Sequence, residues 1–555
     1  GTVANSWDPA LAEEMGEALG NEAHDLDVNV LLGPGLNIKR NPLCGRNFEY
    51  YSEDPVLSGK CAAAMIRGIQ SCGVGTSAKH FAANNQESCR IQNNAVVSQR
   101  ALREIYLKSF EIAVKDGNPW SVMSSYNRVN GTYSMESRFL LTDVLRKDWG
   151  YRGIVVSDWF GKRDTPAQIH AGNDLLMPGE QAQVDEIIAA VRSGALAVED
   201  LDICAGRVLE YVLKTPHFRK YAYSDAPSLE QNARVSASSA SDGIVLLKNE
   251  DGALPLAEGA NVSLLGVNAY DGIVAGIGAG FVNSSYKVNL DEGLRNAGFI
   301  LNPKTDAVYR RYMDYSEALL GEENSRKHLG DRTFPAEAFL SDAFLGMRAA
   351  DSDIAVISFG RLSGEYNDRY TRDFYLHEDE LDLLRRTCAA FHSRGRKVVV
   401  VLNVCGVVET ASWKGLPDAI LVNWLPGQEL GNATAAVLSA QVNPSGRLPM
   451  TFPLDYRDHL SSENYPFDYT SKRSDWEYDA PERKIRNLGW TEYLEGVDVG
   501  YRYFCTKAPE KISFPFGFGL SYTSFEWSDA ALTRKGNDFR VTLRVTNTGD
   551  RPGRD

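Results

Sequence analysis

The sequence predicts an α/β fold in which two successive regions of parallel sheet and helix precede the opening of an antiparallel β-sandwich. Three observations predict it. Short apolar runs alternate with amphipathic segments along residues 1–215 and again along 240–449, and repeated strand–helix–strand order implies a parallel sheet. Polar or charged residues stand just after the first region's strands, as Lys79 and His80, Tyr126 and Asn127, and Asp158 and Trp159. In a (β/α)-barrel such strand ends converge on one face, where catalytic groups sit. Near the C-terminus Phe539, Val541, Leu543 and Val545 alternate with polar residues, the pattern of a half-buried antiparallel strand.

The expected elements follow in order. In residues 1–215 the strands are Val28–Leu32, Val74–Ser77, Ser121–Ser125 and Gly153–Val156, with a shorter one at Asp174–Met177. Helices fall at Pro9–Leu19, apolar at Leu11, Met15 and Leu19, and at Leu102–Val114. Residues 216–239 read as a linker or helix. In residues 240–449 the strands are Val262–Val267, Ile354–Phe359, Val398–Leu402 and Ala419–Val422, with a helix at Glu378–Phe391 and turn chemistry at Asn443–Ser445. Residues 450–524, rich in aromatics, Pro and charge without periodicity, read as an extended connection. The last stretch, 525–555, holds one strand, Asp538–Asn547. A lone strand cannot bury its apolar face, so the sequence reads as ending inside that unit. An insertion from Lys304 to Leu345 is charged and aromatic, and is read either as shaping the aglycone side of a site or as a helical excursion on the surface.

Composition narrows the function. The 73 acidic against 59 basic side chains leave a net charge of −14. A negative field repels nucleic acid and acidic membrane surfaces but leaves neutral ligands such as sugars open. No apolar run reaches the roughly 18 residues of a membrane span. Residues 1–20 carry Glu13, Glu14 and Glu17 where a signal peptide needs an apolar stretch, so a cytoplasmic location is expected, with secretion or a periplasmic location left open. The eight cysteines are scattered without Cys-x-x-Cys spacing and read as buried free thiols. The histidines lack metal spacing, and Walker A and His-Glu-x-x-His motifs are absent. Gly276-Ile-Gly278-Ala-Gly280 follows a strand, but Phe281 breaks the dinucleotide pattern. We therefore expect neither a metal nor a cofactor.

The strongest local signal is Gly153-Ile-Val-Val-Ser-Asp-Trp159, an apolar strand that delivers Asp158 at its end. Glycosidic cleavage needs a carboxylate able to attack the anomeric carbon, and Trp159 offers a stacking surface for a sugar. A helix cap is the plainer reading of Asp158. Lys79 and His80 are donors suited to vicinal hydroxyls, or else a solvated lysine beside a structural histidine. Arg46 and Arg90 are fork donors suited to hydroxyls and carboxylates, though spacing alone reads each as a structural salt-bridge residue. After strand Ile354–Phe359 comes Gly360-Arg-Leu-Ser-Gly-Glu-Tyr-Asn-Asp-Arg369. Glu365 there is a candidate general acid, whose pKa must be raised to hold a proton near neutrality, or part of an exposed charged loop.

Together these motifs resemble glycoside hydrolase family 3, over nearly the whole chain. The segment Gly33-Pro-Gly to Glu53-Asp-Pro55 is similar to the family's first glycone-binding loop. Lys79-His80-Phe81, Ser125-Tyr126-Asn127, Ser157-Asp158-Trp159, Glu495-Gly-Val-Asp-Val-Gly-Tyr-Arg-Tyr503 and Phe514-Pro-Phe-Gly-Phe-Gly-Leu-Ser-Tyr522 follow in family order. The resemblance implies a (β/α)8-barrel-like domain lacking its first strand, an α/β sandwich, and the start of a fibronectin-III-like β-sandwich. It implies a retaining, exo-acting β-glucosidase acting on small oligosaccharides or glucosides, with Asp158 as nucleophile and Glu365 as acid/base. Arg46, Lys79, His80, Arg90, Tyr126 and Trp159 would bind the glycone. A β-xylosidase is the alternative within the family, and a non-catalytic carbohydrate-binding protein the alternative outside it. Family members carry an Asp-Gly-Pro segment before Trp7; without it weak glycone affinity is expected, and a second chain or further segment would supply the parts missing at both ends. A homodimer is left open.

Overall fold

A computed structural model of the chain describes residues 1–161, 163–465 and 489–555. The first region is built on β1 (Val30–Leu31), β2 (Gly75–Phe81), β3 (Ser121–Ser124) and β4 (Ile154–Ser157). They lie side by side in that order, all parallel. The strands β2, β3 and β4 are buried on both faces, which explains their near-continuous apolar or small-residue runs. Two expectations change here. The segment Asp174–Met177 contributes one parallel bridge, Leu175 to Val156, rather than a strand; Asp174 instead takes the ion pairs of Arg146 and Arg207. Strand β2 also runs on through Lys79 and His80, so these two residues lie within a strand rather than after one.

Helix Pro9–Asp25 is started by Asp8, whose side chain accepts from the Ala10 N–H, and it packs on helix Pro55–Ser71. The close approach needs small residues: a Cβ on Gly68 would lie 2.1 Å from the Glu13 carbonyl oxygen. The expected helix Leu102–Val114 forms as part of a longer run, Gln99–Gly117, that alternates α and π turns.

The second region carries a six-stranded sheet. Its strands are β5 (Val245–Asn249), β6 (Asn261–Leu265), β7 (Ile300–Leu301), β8 (Ile354–Arg361), β9 (Lys397–Val404) and β10 (Ala419–Val422). The order is β7-β6-β8-β9-β10-β5, with β5 antiparallel to β10 and every other pair parallel. Strand β5 was not expected from the sequence. The period-two rule sorts β9 cleanly: Val398, Val400 and Leu402 face one core, Val399 and Val401 the other. Helix Glu378–His392 covers the first face with Leu384 and Phe391. Helices Leu290–Asn296 and Leu430–Leu438 cover the second.

The connection 450–524 is partly regular. Trp490–Glu492 pairs in parallel with Asn94–Val96, Tyr501–Lys507 is helical, and Glu495 forms a buried ion pair with Arg40 at 2.5 Å. Residues 466–488 of the expected connection lie outside the described residues. At the end, β11 (Phe525–Lys535) and β12 (Asp538–Asn547) form an antiparallel hairpin, two strands where one was expected. Trp527, Leu532, Phe539 and Val541 stand exposed on it.

Candidate active site

The C-terminal end of β4 places Asp158 at the floor of a cavity of about 850 Å³ between the two regions, the kind of interface where ligand pockets commonly form. All eight sequence candidates line this one cavity: Arg46, Lys79, His80, Arg90, Tyr126, Asp158, Trp159 and Glu365. Asp158 is not a helix cap. Its Oδ1 accepts from the Trp159 N–H at 2.8 Å, whereas Asp164 caps the following helix, Thr165–Ala171. The His80 Nε2 lies 3.8 Å from Asp158 Oδ2. Burial, with Arg46, Lys79 and Arg90 close by, drives the His80 pKa far down, so the ring is neutral. Lys79 is buried rather than solvated. The Tyr126 hydroxyl donates to the Trp159 carbonyl at 2.5 Å, fixing the turn that carries Asp158.

Glu365 reaches the cavity from the loop after β8. Arg90 Nη2 holds its Oε1 at 2.8 Å, and Arg46 Nη1 stands 3.7 Å from the same oxygen. The Ala279 N–H donates to its Oε2 at 2.7 Å. Burial pushes this carboxyl up, but Arg46 and Arg90 outweigh it and leave its pKa below the ordinary value. The raised pKa expected from the sequence is therefore corrected for the free site, because two guanidiniums converge there. Asp158 moves the other way. Burial outweighs Arg46, Arg90 and the Trp159 N–H and raises it.

Several contributors escaped the sequence reading. Glu49 lines the cavity and accepts from Arg46 Nε at 2.5 Å; the signal was its place in the Cys44–Tyr50 motif. The glycine run 276–280, set aside above for its missing phosphate motif, backs the acid/base candidate. Gly278 has φ +87°, and a Cβ there would lie 2.2 Å from the Glu365 Cβ. The insertion divides into both of its readings. Pro303–Ser325 is a surface helix, while Leu329 lines the cavity and accepts from the Gly278 N–H at 2.9 Å.

The two regions are clasped at Asp368, whose carboxylate accepts from the N–H groups of Gly45, Glu87 and Ser88 at 3.0, 3.0 and 2.8 Å. Gly45 admits nothing larger, since a Cβ would lie 2.1 Å from the Asn367 carbonyl oxygen. Asp368→Asn replaces one accepting oxygen by an NH2 donor that faces buried N–H groups, at a cost of about 1–3 kcal/mol for each donor stranded. We expect kcat to fall by at least roughly tenfold while circular dichroism stays native. Unchanged kcat would show that the clasp does not position the site.

Residues 2–211 match the family model described as the glycosyl hydrolase family 3 N terminal domain, and residues 244–522 match the glycosyl hydrolase family 3 C-terminal domain. The chain is 37% identical to thermostable beta-glucosidase B of Acetivibrio thermocellus, over all of this chain and 68% of that one. It is also 37% identical to an exo-alpha-(1->6)-L-arabinopyranosidase of Bifidobacterium breve, over 99% of this chain and 67% of that one. Among solved structures it is similar to beta-glucosidase 3B of Thermotoga neapolitana in complex with alpha-D-glucose. The TM-score is 0.92 at 42% identity, covering 99% of this chain and 75% of that one. With both halves matched and relatives this similar, the chain belongs to glycosyl hydrolase family 3 and is a glycoside hydrolase.

Proposed function

We propose that the chain is a retaining, exo-acting β-glucosidase that releases terminal β-D-glucose through a covalent glycosyl-enzyme. One observation carries this reading: Asp158 and Glu365, from separate regions, line a single cavity and share the field of Arg46 and Arg90. Asp158 attacks C1 while Glu365 protonates the departing oxygen. The glycosidic bond breaks, an ester forms at Asp158, and Glu365 then deprotonates the water that cleaves it. Arg46, Lys79, His80, Arg90 and Tyr126 surround the glycone, and Trp159 supplies its apolar platform. The relatives named for glucosides and the neighbour holding glucose support the glycone. We read the first region as barrel-like and the terminal hairpin as the opening of a fibronectin-III-like sandwich.

A second reading is favoured by the arabinopyranosidase relative: a pentopyranose glycone, which would include the β-xyloside. A panel of nitrophenyl β-glucoside, β-xyloside and α-L-arabinopyranoside separates the two, because only glucose brings a C6 hydroxymethyl group. The reading itself is tested by trapping with a 2-fluoro glucoside. Mass spectrometry is expected to find the label on Asp158. A label on another residue, with turnover intact, would overturn the assignment.

A further inference from the structure

Glu87 is buried beside the reacting pair and no step above uses it. Its Oε2 accepts from Arg90 Nη1 at 2.8 Å and from the Tyr366 N–H at 3.0 Å. Its own N–H donates to Asp368 at 3.0 Å. Among the described residues its Oε1 is buried without a hydrogen-bond partner. Arg90 turns its other Nη to Glu365, so one guanidinium is divided between Glu87 and Glu365. Tyr366, the residue after Glu365, has φ +80°, a left-handed conformation that is uncommon for a bulky residue and needs its surroundings to hold it. The Glu87 carboxylate fastens that N–H.

We propose that Glu87 is the positioning residue of the acid/base: it anchors the backbone beside Glu365 from across the region boundary and draws off part of Arg90, which sets how readily Glu365 keeps its proton. The inference rests on reading Glu365 as the acid/base. Glu87 itself exchanges no proton with substrate.

The charges around it fix the sign of the effect. Arg90, Arg46 and Asp368 act on Glu87, where burial, opposed by the two arginines, pushes the carboxyl up to about 7. Glu365 is faced by Arg46 and Arg90, with Glu49, Lys79, Tyr126 and Tyr366 also near enough to interact. When Glu87 is ionised, Arg90 serves two carboxylates. When Glu87 is neutral, Arg90 acts on Glu365 alone and favours its ionised form, so Glu365 releases its proton at lower pH.

The test compares pH profiles of kcat/KM for wild type, Glu87→Gln and Glu87→Asp, with Glu365→Gln as the reference that identifies the Glu365 limb. An aryl glucoside with a good leaving group keeps every variant measurable. In Glu87→Gln the alkaline limb of the coupled pair, where wild-type Glu87 is ionised, is expected to move down by roughly one pH unit. Glucosides with poor leaving groups should lose more rate than those with good ones. Glu87→Asp keeps the charge, so it should return the limb toward its wild-type position while kcat stays reduced by the shorter reach. A merely structural residue would lower kcat evenly and leave the limb in place; that result in Glu87→Gln overturns the proposal, and should the amide fail to fold, Glu87→Ala, which equally removes the charge, is read in its place. If Glu365→Gln abolishes no limb, the acid/base reading fails instead, a separate outcome.

Discussion

Replacing Asp158 by Ala is expected to lower kcat/KM for aryl glucosides by about 10⁴–10⁶, the scale found when a group that bonds to substrate is removed. Among the described residues that line the cavity, neither other carboxylate stands in its place. Glu49 is tied to Arg46, and Glu365 belongs to the opposite region. Among the described residues the substitution removes the hydrogen bond of the Trp159 N–H and an interaction with the Tyr126 hydroxyl, each worth about 1 kcal/mol. Melting temperature should therefore change little while activity collapses. It also leaves Arg46, Lys79 and Arg90 with one anion fewer, and a small anion should re-enter the vacated space. Azide added to Asp158→Ala is expected to attack C1 of an activated glucoside directly and yield the α-glucosyl azide. Activity within tenfold of wild type, or a β-configured azide, would show that the attacking oxygen lies elsewhere.

Removing the proton donor should give a different signature. Glu365→Ala is expected to slow hydrolysis of poor leaving groups by about 10²–10⁴, the usual reach of general acid catalysis. A dinitrophenyl glucoside, whose leaving group departs without a proton, should still form the glycosyl-enzyme and then stall. Azide attacking that ester gives a β-glucosyl azide and restores turnover. The opposite azide configurations from the two variants assign the two roles independently of rate. Equal losses for every leaving group would remove Glu365 from proton transfer. The free site also predicts the pH behaviour of the wild type. Burial raises Asp158, and Arg46 with Arg90 lowers Glu365 against its own burial, so the shifts oppose the ionisation that reacts. The profile of kcat/KM is expected to be a bell whose limbs belong to the coupled pair and whose height is reduced, because the reactive ionisation is the disfavoured one. A profile without limbs would contradict that electrostatic arrangement.

Elements whose identity depends on a few consecutive residues were legible in the sequence. Ala419–Val422 forms as expected, and Ile354–Phe359 lengthens only to Arg361. Their near-continuous apolar runs, broken only at Ser358, fit strands covered on both faces of a sheet. Val245–Asn249 was passed over because Val245, Leu246 and Leu247 form an apolar run too short for periodicity to separate a strand from a buried helix segment. Asp174–Met177 failed as a strand because Asp174 is claimed by Arg146 and Arg207, and no periodicity records that.

The sequence by itself determined the alternation of strands and helices, and with it that Asp158 would stand at a strand end beside an aromatic. That information is local, written in side-chain period and in the residues flanking each run. Only the tertiary structure decided the ionisation of the pair and the clasp that assembles it. Glu87 meets Tyr366 from 279 positions away, and Gly45 meets Asp368 from 323. The pKa of a buried carboxyl follows the charges within a few ångströms of it, whatever their distance along the chain. Docking alone brings Arg46 and Arg90 onto Glu365.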